Sequence, residues 1–296
     1  MTTFTKFAIL LLAGLAWGST VPLTKTAVST GHHPIGLIVW QLAIAVVVLS
    51  VVITVRGLWP EVKRRHILYF LVIGLTGTVV PNSFSFLAAA NLPAGVMAIV
   101  LTTVPMFTTA MAFGLRVEQF SWLRVMGILL GAIAVLLLIV PDEDFSGAIP
   151  PLFVLVALIA PFFYGIEGNY IAMRAPENLG PIVTLWGASL LGLIVALPMA
   201  LMMDGWVNLA VTWGPAEYAM VVASLLHIVA YASFIRLINA AGPIFSSQIG
   251  YVVTIAGVFF SALALSESYS HWVWASLLFM LAGLTLVKPR KEAEAV

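Results

Sequence analysis

From Phe7 to Val287 the chain is a near-continuous succession of apolar runs of about twenty residues, separated only by short breaks of Gly, Pro and charge. A helix needs about that length to cross the roughly 30 Å hydrocarbon layer of a bilayer. Within that layer each backbone N–H and C=O must be paired inside the segment, which a helix does by itself. The 296 residues are 62% hydrophobic and 8% charged, whereas a soluble domain carries about 25% charged residues. Thirteen Lys and Arg with twelve Asp and Glu cannot cover a soluble surface of this size. The sequence therefore predicts an all-α polytopic membrane protein, with no room for a separate soluble domain.

The breaks place ten spans. They are Phe7–Ser29, Pro34–Val55, Ile67–Ala89, Ala94–Leu115 and Trp122–Val140, then Pro150–Met173, Pro181–Met203, Ala216–Ile238, Pro243–Leu265 and His271–Val287. Lys6 followed by an apolar stretch has the look of a signal peptide, but the run continues to Val28 and reads as a retained first helix. With the N-terminus in the cytoplasm, every Lys and Arg except Lys25 falls on the inner side, and the outer loops carry Asp142, Glu143, Asp144, Asp204 and Glu267. That bias places both termini in the cytoplasm of a bacterial-type inner membrane.

Composition also removes function classes. A net charge of +1 leaves no basic footprint for nucleic acid. With no cysteine there is no thiolate metal site and no thiol nucleophile. No G-x-x-x-x-G-K-[ST] loop is present to hold a nucleotide. The reading calls for no cofactor and no metal; its expected partners are a small-molecule solute and the bilayer, with the chain acting as a monomer.

An internal repeat runs through the chain. An offset of 147 takes Trp17-Gly18 onto Tyr164-Gly165 and Pro34 onto Pro181. An offset of 149 takes Ala90–Ala94 onto Asn239–Pro243, Glu118 onto Glu267, Gly127 onto Ser276 and Ala134 onto Gly283. Five spans per copy is an odd number, so the copies must be inverted in the membrane. Residues 1–141 form the first unit, 150–288 the second, and 289–296 a cytoplasmic tail. Such inverted repeats are a recurring carrier architecture, with the solute site near the midplane.

Several stretches carry a resemblance to a known family. They are Ala16-Trp17-Gly18-Ser19-Thr20, the run Phe86 to Ala94, Glu118 with Trp122 and Gly127, and Glu267 with Trp272 and Gly283. With these the chain resembles the drug/metabolite transporter superfamily in its ten-helix EamA branch, and within it the YddG-type exporters of aromatic and other amino acids. The resemblance implies ten transmembrane helices as two inverted five-helix repeats around a central cavity. Tyr164 stands where Trp is common in that family, beside an added Glu167.

A solute path needs polar or aromatic side chains facing inward, because lipid-facing ones are costly. The cavity candidates are Trp17, Gln41, Asn82, Tyr164, Trp186, His227, Tyr231, Gln248 and Tyr251. Asn82 and Tyr231 are equivalent at the 149 offset. Glu167 and His227 are candidates for proton coupling, although Glu167 has Arg174 nearby as an ion-pair partner. Pro81, Pro105 and Pro161 are hinge candidates, since each removes a backbone donor within a span. Lys25, about a turn from the outer end, is expected to snorkel to the interface. Glu118 and Glu267 are expected to brace loops. Gly14/Gly18 and Gly127/Gly131 have the spacing of close helix contacts, the latter internal or at a dimer face.

Few buried carboxylates argue against a metal-ion path, and a single inward Lys argues against phosphorylated solutes. A neutral, zwitterionic or weakly cationic organic solute remains. The aromatic and amide inventory, with the resemblance, points to export of amino acids by alternating access, facilitative or proton-coupled. The runner-up is a broad drug or toxic-cation exporter driven by proton antiport. In that comparison, neutralising Glu167 stops the cation exporter and spares a zwitterion facilitator. An intramembrane enzyme would need a His/Asp/Glu cluster, and the five histidines are scattered.

Overall fold

A computed structural model describes residues 1–116, 119–140, 149–208, 210 and 212–287. Its regular elements are all helical: α1 (Thr3–Val28), α2 (Pro34–Arg56), α3 (Arg64–Gly74), a π-turn (Leu75–Val79), α4 (Val80–Asn91), α5 (Ala94–Leu101), α6 (Val104–Gly114) and α7 (Trp122–Leu138). The second half holds α8 (Pro151–Arg174), α9 (Pro181–Met202), α10 (Pro215–Ala241), α11 (Pro243–Ser247), α12 (Ile249–Leu265) and α13 (His271–Leu286). Proline opens α2, α8, α9 and α10, where its missing N–H is one the helix could not have paired anyway. Gly57, at φ 62°, closes α2 in the left-handed conformation that glycine takes without strain.

Seven of the helical stretches are long and apolar enough to cross a membrane: Thr3–Val28, Pro34–Arg56, Arg64–Asn91, Ala94–Gly114, Pro151–Arg174, Pro181–Met202 and Pro215–Ser247. Three further apolar helices are shorter, Trp122–Leu138, Ile249–Leu265 and His271–Leu286. Ten spans are expected from the sequence; seven stretches meet the length and apolarity of a span, and the three shorter apolar helices have 17, 17 and 16 residues. Outward faces are apolar too: Val47, Val51 and Val55 on α2 and Leu129 and Leu136 on α7 are exposed. Hydrocarbon covers such an exterior at no cost; water would not. The acidic cluster at 142–144 and the basic tail lie outside the described residues.

Two of the spans that carry hinge-candidate prolines are irregular, and proline is the cause of both. Pro81 cannot donate to the Gly77 carbonyl and its ring would press on it. The chain widens into the π-turn over Leu75–Val79 one turn earlier, which moves that carbonyl aside. Pro105 acts likewise on the carbonyl of Leu101, where α5 ends. Thr102 and Thr103 form the break, and their hydroxyls donate to the carbonyls of Ala98 and Val100. Pro161, by contrast, sits inside an unbroken α8. A second break at Gln248 divides the stretch from Pro243 to Leu265.

The bundle is tied together through small residues. α1 packs on α10 and α12, α8 on α4 and α6, α2 on α9, and α7 on α13. A Cβ at Gly18 would lie 2.5 Å from the Ala256 Cβ, so α1 and α12 meet backbone to backbone there. On α8, a Cβ at Gly165 would lie 3.1 Å from the Phe107 Cβ of α6. A Cβ at Gly127 would stand 2.6 Å from the Gly283 carbonyl oxygen, and Ser276 donates to the Ala134 carbonyl at 2.7 Å across the same α7–α13 seam. Gly131 faces Met106. Gly127 and Gly131 thus serve contacts within the chain.

Candidate functional site

Between the helices lies a cavity of about 160 Å³, on the order of ten water-sized spheres. Its upper part is formed where α1 ends and α5 begins, by Lys25, Val28, Ala89 and Ala94. From there it descends past the middle of the bundle to Gly77, Glu167, Tyr231 and Ser247. The end that holds the N-terminus is filled by an apolar cluster including Leu10, Tyr69, Ile171 and Ile235. There Tyr69 and Tyr170 stack at 5.9 Å and Phe7 meets Phe245 edge-on at 5.4 Å. One end of the cavity is therefore sealed and the other is not.

Glu167 sits at the deep end, on the face of α8 one turn below Tyr164, and is 1% exposed. The Tyr231 hydroxyl of α10 donates to its carboxylate. That contact exists because position 77 is glycine. A Cβ there would fall on the Tyr231 hydroxyl and the Glu167 carboxylate, and the π-turn brings this bare stretch of backbone to the site. No cationic side chain among the described residues lies within ion-pair distance of Glu167. The expected pairing with Arg174 is not made, because Glu167 faces the bundle interior and α10. A buried carboxylate without a counter-charge is costly, so the site is built to receive an ammonium group or a proton.

A chain of amides crosses the other wall. Tyr164 donates to Asn82 Oδ1 at 3.0 Å, and Asn82 Nδ2 donates to Gln41 Oε1 at 2.9 Å, linking α8, α4 and α2. The third wall is aromatic. Trp17 lies 6.1 Å from the Tyr231 ring and 5.3 Å from the Phe234 ring, and its indole N–H donates to His227 Nδ1 at 3.1 Å.

Of the sequence candidates, Trp17, Gln41, Asn82, Tyr164, Glu167, His227 and Tyr231 all line this one cavity. Three are placed elsewhere. The Trp186 indole donates to Ser50 Oγ and packs edge-on against Trp59, between α9 and α2. Gln248 donates to the Val287 carbonyl and fixes the α11–α12 break to the end of α13. Tyr251 is half-buried beyond the lining, which α12 reaches through Ile249, Gly250 and Val253. Pro81, Pro105 and Pro161 are all buried behind the cavity wall.

Lys25 and Gly77 line the cavity and were not among the sequence candidates. Lys25 does not snorkel outward: its ammonium donates to the Ala89 carbonyl at 2.8 Å, at the C-terminal end of α4, and lines the cavity. Charge inside a span was the signal for it. Gly77 carried no signal except Pro81 four residues on. Glu267 braces a loop as expected, accepting from the Ala94 and Gly95 amides at the start of α5 and from the Tyr269 hydroxyl. Its repeat mate Glu118 lies outside the described residues.

A cavity sealed at one end and walled by helices from both halves of the chain is the form of a carrier. The EamA-like transporter family model matches residues 6–140 and again 151–288. The chain belongs to this family. Relatives include the inner membrane transporter YedA of Escherichia coli strain K12, described as uncharacterized, at 24% identity over 292 residues, covering 95% of this chain and 90% of YedA. The YedA proteins of Escherichia coli O6:H1 and O157:H7 match to the same extent. The crystal structure of another protein shares the fold, with a TM-score of 0.65, 17% identity and 96% of each chain covered.

Proposed function

We propose that the chain is an inner-membrane carrier for small organic solutes bearing an ammonium group, exporting amino acids with aromatic and other neutral side chains by alternating access. The observation that carries this reading is Glu167, a buried carboxylate facing the cavity with the Tyr231 hydroxyl as donor and no cationic partner among the described residues. Around it stand aromatic rings and amides, a lining suited to an amphipathic molecule with one polar head.

Alternating access rests on the repeat, and reciprocal contacts support it. Gly18 against Ala256 becomes, under the 147 and 149 offsets, Gly165 against Phe107, and both pairs are in close contact. Gly127 against Gly283 becomes Ser276 against Ala134, likewise a contact. Trp17 beside Tyr231 becomes Tyr164 bonded to Asn82. The doubled family match agrees with two five-span units. A pseudo-two-fold of this kind makes the sealed and open ends interconvertible with little change in contact energy. By the distribution of Lys and Arg, the sealed end faces the cytoplasm.

The second reading, a broad exporter of organic cations, is favoured by the same carboxylate. Exchange by the purified protein in proteoliposomes, with labelled amino acids and an imposed pH gradient as a variable, separates the two. Saturable flux of Phe, Trp or Met is expected, and its response to the gradient tells facilitation from proton coupling. No amino-acid flux, with gradient-driven movement of an organic cation, would replace the first reading by the second.

A further inference from the structure

An indole N–H can only donate, so the nitrogen that receives it must carry a lone pair. Trp17 Nε1 donates to His227 Nδ1 at 3.1 Å. The imidazole proton therefore sits on Nε2. Protonating the ring fully would set an Nδ1–H against the indole N–H, so Trp17 opposes the imidazolium as well as the other tautomer. His227 Nε2 is buried and has no hydrogen-bond partner, although the residue lines the cavity. A buried donor left unpaired is costly. The site is short of an acceptor there.

We propose that His227 Nε2–H receives the carboxylate of the solute, with Trp17 as the positioning residue that fixes the tautomer, so that the cavity recognises an α-amino acid by both of its charged groups. This rests on the carrier reading above and assigns the second half of the head-group site. His227 and Tyr231 are one helical turn apart on α10 with rings 5.3 Å apart, and Tyr231 holds Glu167. The ammonium and carboxylate of an α-amino acid share one carbon, and with a hydrogen bond of about 2.9 Å at each end they bridge neighbouring side chains of this kind.

Lys25 is a cationic donor that also lines the cavity and is too distant for that task. Its ammonium is held at the Ala89 carbonyl. Gly77, which abuts Glu167, lies on the same helical stretch, and at 1.5 Å per residue the two are separated by about 18 Å along it. On this assignment His227 is a neutral donor and does not carry protons, which leaves Glu167 alone for any coupling.

The test compares apparent affinities for phenylalanine and for phenethylamine, which lacks the carboxylate, in reconstituted wild type, His227→Leu and His227→Gln. Wild type is expected to prefer phenylalanine. His227→Leu is expected to lose that preference at least about tenfold while keeping its affinity for the amine, which shows that it is folded. Gln can accept from Trp17 and still donate, so His227→Gln is expected to restore most of the preference. A His227→Leu protein that keeps the wild-type preference overturns the assignment and leaves the carrier reading standing. A wild type with no preference overturns the assignment as well, whereas a wild type that takes neither solute overturns the carrier reading. As a measure independent of transport, nitrogen NMR of histidine-labelled protein, with His227→Gln for assignment, should show Nδ1 bare and Nε2 protonated across neutral pH. An imidazolium forming in that range would also overturn the proposal.

Discussion

Replacing Glu167 by Gln is expected to weaken uptake of phenylalanine and of phenethylamine alike, with the protein remaining folded. The amide has nearly the shape of the carboxylate and can still accept the Tyr231 hydroxyl, so packing around α8 and α10 is retained. What it lacks is the charge that holds an ammonium group. Hydrogen bonds to charged groups contribute about 1.5–3 kcal/mol, and each 1.4 kcal/mol is about tenfold in affinity, so a fall of roughly ten- to a hundredfold should be read in apparent affinity. Glu167→Asp keeps the charge on a shorter arm and should retain part of the activity. Wild-type flux through Glu167→Gln would show that the ammonium binds elsewhere. From the sequence, this substitution distinguished a cation exporter from a zwitterion facilitator. The position of Glu167 beside Tyr231 makes it common to both, and paired solutes with and without a carboxylate take over that discrimination.

Gly77→Ala should be nearly as damaging, although it adds only a methyl group. That methyl would meet the Tyr231 hydroxyl and the Glu167 carboxylate, two buried groups with little freedom to withdraw. Overpacking of this kind costs about 1–3 kcal/mol in a core. Here the side chains that must move are those proposed to hold the solute, so the loss should appear as at least a tenfold fall in transport, with a smaller effect on thermal unfolding in detergent. Gly180→Ala is the control, since a Cβ there meets nothing within 4 Å and transport should be unchanged. Equal activity of the two variants would mean that the π-turn is not part of the site.

How far the sequence reached follows from what hydropathy can and cannot encode. Helix ends were legible because Pro34, Pro181 and Trp122 sit at real starts and Gly57 at a real stop. Breaks within helices were not, because the π-turn before Pro81 and the gap before Pro105 lie inside uninterrupted apolar runs. Proline marks such places without saying whether a helix kinks, widens or, as at Pro161, continues. Trp17 and Tyr164 could be found as repeat mates, as could Asn82 and Tyr231, and the contacts run between the pairs: Trp17 lies beside Tyr231 and Tyr164 bonds Asn82. Trp186 and Tyr251 share their chemistry but not their facing, and residue type within an apolar helix does not say which side looks inward. Lys25 was misjudged because snorkelling is the general habit of a terminal lysine, and only the structure shows the α4 carbonyls within its reach.

The central claim, that solute binds beside Glu167 in the cavity between the two halves, is open to one direct measurement. The chain contains no cysteine, so Ala223→Cys, which lines the cavity one turn before His227 on α10, provides a single thiol. A membrane-impermeant thiol reagent should label it from the open end in reconstituted protein. Phenylalanine should slow that labelling in the Ala223→Cys protein and fail to slow it when Glu167→Gln is added. Labelling untouched by phenylalanine, in a protein that still transports it, would place the solute somewhere other than this cavity.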